Sequence, residues 1–152
     1  MILGFKQQFP WKEPTYFREK ILAGAGYGPI VSMPKIHTMR EDPTNRWKPG
    51  RKIDMVYRGA GYKIIAHWNP KIPCLQKCVS VQKIEIKWVP LGGVIVPPPV
   101  TELRIFVDGR RLIGEELNKI AINDGFDNIH HFARWFKKDF SGKIIHWTNL
   151  RY

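Results

Sequence analysis

Apolar and polar positions alternate most clearly over residues 79–89. There Val79, Val81, Ile84, Ile86 and Trp88 stand among Ser80, Lys83, Glu85 and Lys87, the period of a half-buried strand. The apolar phase switches from odd to even between Val81 and Ile84, which predicts a bulge or a register change. Residues 103–107 and 111–113 flank Asp108-Gly109, a dipeptide that accepts the positive φ of a tight hairpin turn. Weaker patterns predict strands at 2–9, 52–58 and 62–67, and a closing strand at 142–147. Thr15 is expected to cap a helix that runs through Leu22 and stops at Gly24 and Gly26. A second helix is expected over 114–123, where Glu115 and Glu116 suit the positive end of the helix dipole. A third is expected over 128–138, capped by Asp127, with Phe126, Ile129, Phe132, Ala133 and Phe136 recurring as a buried stripe. Strands outnumber helices and do not alternate with them in repeated strand–helix–strand units. The expected class is therefore α+β, a small barrel or curled sheet with helices packed outside.

Composition narrows the picture further. With 152 residues, 43% hydrophobic and 12% aromatic, the chain is expected to fold as a single domain over 1–152 rather than to be disordered. The longest uncharged apolar run, 89–100, contains four prolines and two glycines, so it cannot be a spanning helix. No secretory leader is expected, and the reading is a soluble, cytoplasmic protein with no membrane partner. Two cysteines exclude a disulfide scaffold. Cys74 and Cys78, spaced C-x-x-x-C, lack the second pair that a zinc site needs, so neither a metal nor a cofactor is expected.

Charge points to a partner. The formal net charge is +12, and residues 1–77 hold 14 Lys/Arg against 5 Asp/Glu, whereas residues 78–152 hold 11 against 8. An anionic ligand is expected at the first half, with nucleic acid the default. The Gly24-Ala-Gly26-Tyr-Gly28 cluster follows a helix rather than a strand and lacks G-K-S/T, so it fails as a phosphate-binding fingerprint. His130-His131 has no histidine four residues on and reads as ordinary helix surface. Trp47, between Arg46 and Lys48 in a polar turn, has the surroundings of a base-stacking contact.

The densest basic segment, residues 35–58, carries seven Lys/Arg and three Asp/Glu. Within it Lys35-x-x-Thr38-x-Arg40, followed after nine residues by Gly50, resembles the signature of the ASCH domain, a family of PUA-like β-barrels that handle RNA and nucleotides. The resemblance covers most of the chain, with 24–34 and 89–100 standing as insertions. It implies an ASCH-type barrel of about five to seven mostly antiparallel strands, with Lys35, Thr38 and Arg40 at the floor of a basic cleft and Trp47, Lys48, Arg51 and Lys52 at its rim. The chain is similar, too, to the family's small acetylcytidine amidohydrolases, whose active site joins a Lys, a Thr three residues on and a later Glu. The matching residues here are Lys35, Thr38 and Asp124, and Met33 stands where those enzymes have Gly. An Asp in place of Glu sets the carboxylate back by about one methylene, and misplacement of ~1 Å can cost roughly 10²-fold in rate. The first expectation is thus RNA or nucleotide binding. An amidohydrolase acting on an acylated nucleoside such as acetylcytidine is the alternative, and a non-catalytic protein-interaction adaptor is the second. Period two sets Thr38 and Arg40 on one strand face and Lys35 on the other. Lys35 joins them only if the chain is irregular at the strand's start, next to Pro34.

Overall fold

The chain is described by a computed structural model over residues 1–27, 33–58, 64–67, 72–92 and 101–152, without the side chains of 64–67 and 73–74. Gly28, residues 62–63 and 93–100, and the Cys74 side chain therefore lie outside what is described. The architecture is α+β. Eight strands are present among these residues: β1 (Ile2–Lys6), β2 (His37–Arg40), β3 (Asp54–Arg58), β4 (Ile64–His67), β5 (Ser80–Pro90), β6 (Thr101–Val107), β7 (Arg110–Arg111) and β8 (Phe140–His146). The count exceeds the expected five to seven because β7 is a two-residue return of the hairpin. Three α-helices accompany them: α1 (Phe17–Gly24), α2 (Glu115–Asn123) and α3 (Ile129–Trp135).

The strands form two sheets. The larger, in order β2-β8-β5-β6-β7, is antiparallel throughout; the smaller, β1-β3-β4, joins β1 to β3 in parallel. Among the described residues no ladder closes these sheets into a barrel. The hairpin at Asp108-Gly109 forms as its turn chemistry requires, with φ of 49° and 85° at the two residues.

Three local readings need correction. No bulge interrupts β5: it pairs with β8 in continuous register from Ser80↔His146 to Ile86↔Phe140. Its inward phase is Gln82, Ile84 and Ile86, all buried. Gln82 sits inside because its amide donates to Asp108 Oδ2 at 2.9 Å and to the Tyr152 carbonyl at 3.0 Å, and its oxygen accepts from the Tyr152 N–H. Helix α3 is capped by Asn128, whose side chain accepts from the His131 N–H at 2.9 Å; Asp127 instead pairs with Lys20 and His131. At α1 the cap position is Tyr16, with φ of 51°. Thr15 hydrogen-bonds the Lys6 carbonyl at 2.7 Å and makes only a 3.4 Å contact to the Phe17 N–H.

The core joins both sheets to the helices. Leu3 and Phe5 of β1, Ile84 and Ile86 of β5, Ile144 and Ile145 of β8, Phe132 of α3 and Phe126 before it all lie in it. Alternation along β1 sends Leu3 and Phe5 inward and leaves Gly4 and Lys6 partly exposed on the opposite face. No helix among the described residues is long and apolar enough to cross a membrane.

Candidate functional site

The site begins with the two residues before β2, held from both sides. The Lys35 N–H donates to the Lys20 carbonyl of α1, and the Ile36 N–H to the Asn123 carbonyl of α2, each at 2.9 Å. Gly24 makes the passage possible, because a Cβ there would stand 2.8 Å from Ile36 Cγ2 and 2.9 Å from the Lys35 carbonyl oxygen. The segment thus places Lys35 before β2 begins, and its side chain escapes the period-two rule that separates it from Thr38 and Arg40.

That side chain ends at the C-terminus of α2. Lys35 Nζ lies 2.6 Å from Asp124 Oδ1 and also donates to the Asp124 carbonyl. A helix C-terminus leaves carbonyls unsatisfied and carries partial negative charge, so an ammonium is favoured there. Lys20 meets the same turn, donating to the Gly125 carbonyl at 2.8 Å. Gly125, at φ 90°, lets the turn reverse, and a Cβ on it would crowd Phe17 and Lys35 at 3.0–3.1 Å. The Lys35–Asp124 pair is almost wholly buried, with side chains 2% and 6% exposed. Burial pushes the Lys35 ammonium down to about 8, and Asp124 prevents a larger fall. Burial alone raises the Asp124 carboxyl, but Lys35 and His37 outweigh it and hold the group below its ordinary range.

Behind the pair lies a second polar group that the sequence did not disclose. His37 Nε2 is 2.7 Å from the Tyr152 hydroxyl, which accepts from Asn123 Nδ2 at 2.8 Å. The Tyr152 hydroxyl thus links the His37 imidazole to the Asn123 amide. Nδ1 faces Asp124 Oδ1 at 3.7 Å, an electrostatic contact beyond hydrogen-bond length. Burial lowers the His37 pKa, and burial followed by the neighbouring His37 charge lowers that of His146 to about 3.

In front of the pair opens a pocket of about 250 Å³ lined by Lys35, Thr38, Arg40 and Asp124. These four, separated by as much as 89 positions in sequence, are brought together. Thr38 is 4% exposed, and among the described residues its hydroxyl makes no hydrogen bond. Lys35 uses two of its three N–H donors on Asp124.

The expected rim is corrected. Lys48, Arg51 and Lys52 are exposed and do not line the pocket. Its further cations are Lys6 of β1, Arg46, and Arg58 of β3. Trp47 does line it but is 1% exposed, because the Asp42 carboxylate accepts the Arg46 and Trp47 N–H groups and turns the indole inward. It is a wall, and the half-buried aromatic at the pocket is Trp135, with Lys6 Nζ 5.2 Å from its ring centre. Periodicity could have singled out Trp135, three residues after Phe132 on α3. Nothing local marks Lys6 and Arg58, which meet through a parallel pairing.

Among the described residues no group of three or more His, Cys, Asp or Glu is placed to hold a metal ion. Cys78 is buried, with burial raising its thiol pKa. No family model, no curated protein and no solved structure matches the chain.

Proposed function

We propose that this chain is an ASCH-type, PUA-like domain that binds RNA or a nucleotide by taking one base and its sugar into the Lys35/Thr38/Asp124 pocket. One observation carries the reading: among the described residues five cations, Lys6, Lys35, Arg40, Arg46 and Arg58, and a single carboxylate, Asp124, line that pocket together. The carboxylate is already neutralised by Lys35, so the lining as a whole attracts an anion. The volume, about 250 Å³, falls just under the ~300–1,000 Å³ of sites for drug-sized ligands, which suits one nucleoside rather than a stretch of strand. The remaining Lys35 donor and the Thr38 hydroxyl supply the polar groups that orient a base, and Trp135 an aromatic face for it. In the barrel reading the two sheets are the halves of a PUA-like barrel, and the pocket lies where β1 and β2 approach each other.

A second reading, hydrolysis of an acylated nucleoside, draws on the short Lys35–Asp124 contact beside Thr38. The shorter acid reaches the lysine after all, at 2.6 Å. With a pKa near 8, a fraction of Lys35 is neutral at physiological pH and takes the Thr38 proton as the hydroxyl attacks the acyl carbon. Asp124 steadies the ammonium so formed, which returns the proton to the departing amine, and water then cleaves the Thr38 ester to release the carboxylic acid and restore the hydroxyl.

Two measurements on the purified chain separate these readings. Affinity for single-stranded RNA falls steeply between about 50 and about 200 mM salt if cations contact phosphates, and Arg40→Gln reduces the slope by about 1. Absence of retention on RNA at low salt, together with absence of nucleotide binding, refutes the binding reading and leaves the adaptor. Incubation with acetylcytidine releases cytidine if the site is hydrolytic. Release that survives Lys35→Ala places the chemistry elsewhere, and no release by the parent or by Asp124→Glu retires it.

A further inference from the structure

Two guanidinium groups meet on one glycine at the edge of the pocket. Period two turns Gly4 and Lys6 of β1 away from the core, and both line the cavity. Arg58 lies across Gly4: a Cβ at that position would stand 2.1 Å from Arg58 Nε and 2.5 Å from Arg58 Cδ. From the other sheet Arg40 donates through its terminal nitrogen to the Gly4 carbonyl. The parallel register sets Lys6 beside Arg58 as Cα partners, and Lys6, whose Nζ lies 5.2 Å from the Trp135 ring centre, lines the same pocket as the two arginines.

Positive charge gathers in this corner. The carboxylate that lines the pocket among the described residues, Asp124, is engaged by Lys35. Arg58 Nε is buried and makes no hydrogen bond among the described residues, and a buried donor left unsatisfied is costly. Arginine presents a planar fork that matches the oxygens of a phosphate in pairs.

We propose that Arg58 and Arg40, seated on Gly4 with Lys6 beside them, form an anion subsite that holds the phosphate of the ligand, so that the pocket selects phosphorylated nucleosides over bare ones. The subsite deepens the nucleotide reading and rests on it. The division of labour is physical: Lys35, tied to Asp124, serves the base, while the guanidinium pair serves the phosphate. Gly4 is the specificity element, since any side chain there would lift Arg58 from its seat.

The test is calorimetric titration of the intact chain with cytidine, cytidine 5′-monophosphate, a dinucleoside monophosphate and inorganic phosphate. The monophosphate binds at least about tenfold more tightly than cytidine. Arg58→Gln brings that ratio below about three, with Arg58→Lys intermediate because it keeps the charge and loses the fork. Gly4→Ala acts like Arg58→Gln, and circular dichroism with thermal melts verifies the fold of each variant. Preference for the dinucleoside over the mononucleotide assigns the phosphate to an RNA strand; the reverse assigns it to a free nucleotide. A monophosphate no tighter than cytidine, or a ratio unmoved by Arg58→Gln, overturns the subsite and leaves the nucleotide reading standing. If neither cytidine nor its monophosphate binds, the nucleotide reading falls. Inorganic phosphate then decides the subsite alone, which survives only if phosphate binds and Arg58→Gln abolishes that binding.

Discussion

Neutralising one member of the Lys35–Asp124 pair strands the other in a site almost closed to water. In Asp124→Asn the lysine escapes by releasing its proton. From an ordinary pKa of 10.5, doing so at pH 7 costs at most about 4.8 kcal/mol, at roughly 1.36 kcal/mol per pH unit. In Lys35→Met the carboxylate escapes by taking up a proton. From 3.8 the ceiling is about 4.4 kcal/mol by the same conversion. Both ceilings fall within the ~3–5 kcal/mol that follows from breaking buried pairs. The Asn oxygen and the backbone carbonyl still accept from Lys35, so each single variant is expected to lose about 3 kcal/mol. The double variant carries no stranded charge and is expected to lose no more than either single one, a coupling of about 3 kcal/mol. Urea denaturation followed by circular dichroism, with unchanged m-values, measures all three. The sign of the pH dependence gives a second check. In Asp124→Asn the folded lysine is neutral while the unfolded chain binds that proton up to 10.5, so unfolding free energy rises with pH; the parent shows this rise only above about 8. The gap between them therefore narrows by about 1 kcal/mol from pH 7 to pH 8. Additive losses, or single variants within about 0.5 kcal/mol of the parent, refute the claim that the pair is buried and mutually dependent.

Other perturbations separate structure from site. His146 is buried with a pKa near 3 against an ordinary 6.5, so the unfolded state takes a proton that the folded state refuses. Stability is expected to fall by up to about 1.4 kcal/mol per pH unit for this group as pH drops below 6.5, and His146→Leu flattens the profile in urea titrations from pH 7 to 4. Gly142→Ala sets a Cβ 2.3 Å from the Arg40 carbonyl oxygen, so it is expected to part β2 from β8, cost about 2 kcal/mol or more and weaken ligand binding through Arg40. Gly109→Ala meets no atom within 4 Å but must adopt φ 85°, so it is expected to cost about 1 kcal/mol and leave ligand affinity unchanged.

What could be read from the sequence divides along physical lines. Turn chemistry and strand period are local, so the hairpin at Asp108-Gly109 and the strand over 79–89 were legible within a residue or two. The convergence of Lys35, Thr38, Arg40 and Asp124 rested on a resemblance, and the close packing of α1 and α2 against residues 35–36 is what achieves it. Polar pattern misled where a polar residue has inside partners: Gln82 occupies a core position because Asp108 and Tyr152 satisfy it. Trp47 misled in the opposite sense. Its charged neighbours mark the outer side of an Asp42-capped turn whose inner side is the indole. The Lys6 and Arg58 corner was invisible because a parallel pairing over 52 positions, Lys6↔Arg58, leaves no local trace. His37, His146 and Tyr152 were likewise hidden, each unremarkable until the fold stacks them behind the lysine.

The central claim is that the pocket before Lys35, Thr38 and Asp124 receives a nucleotide, and among the described residues two tryptophans, Trp47 and Trp135, line it. Titrating cytidine 5′-monophosphate into the nitrogen-15-labelled chain, with tryptophan indole and backbone amide signals recorded, tests that claim most directly. The account predicts saturable shifts at the Trp47 and Trp135 indoles and at the amides of Lys35, Thr38 and Arg40, with Trp11, Trp88 and Trp147 unmoved. Saturation accompanied by shifts only at Trp11, Trp88 or Trp147, or no shift at millimolar nucleotide, would contradict it.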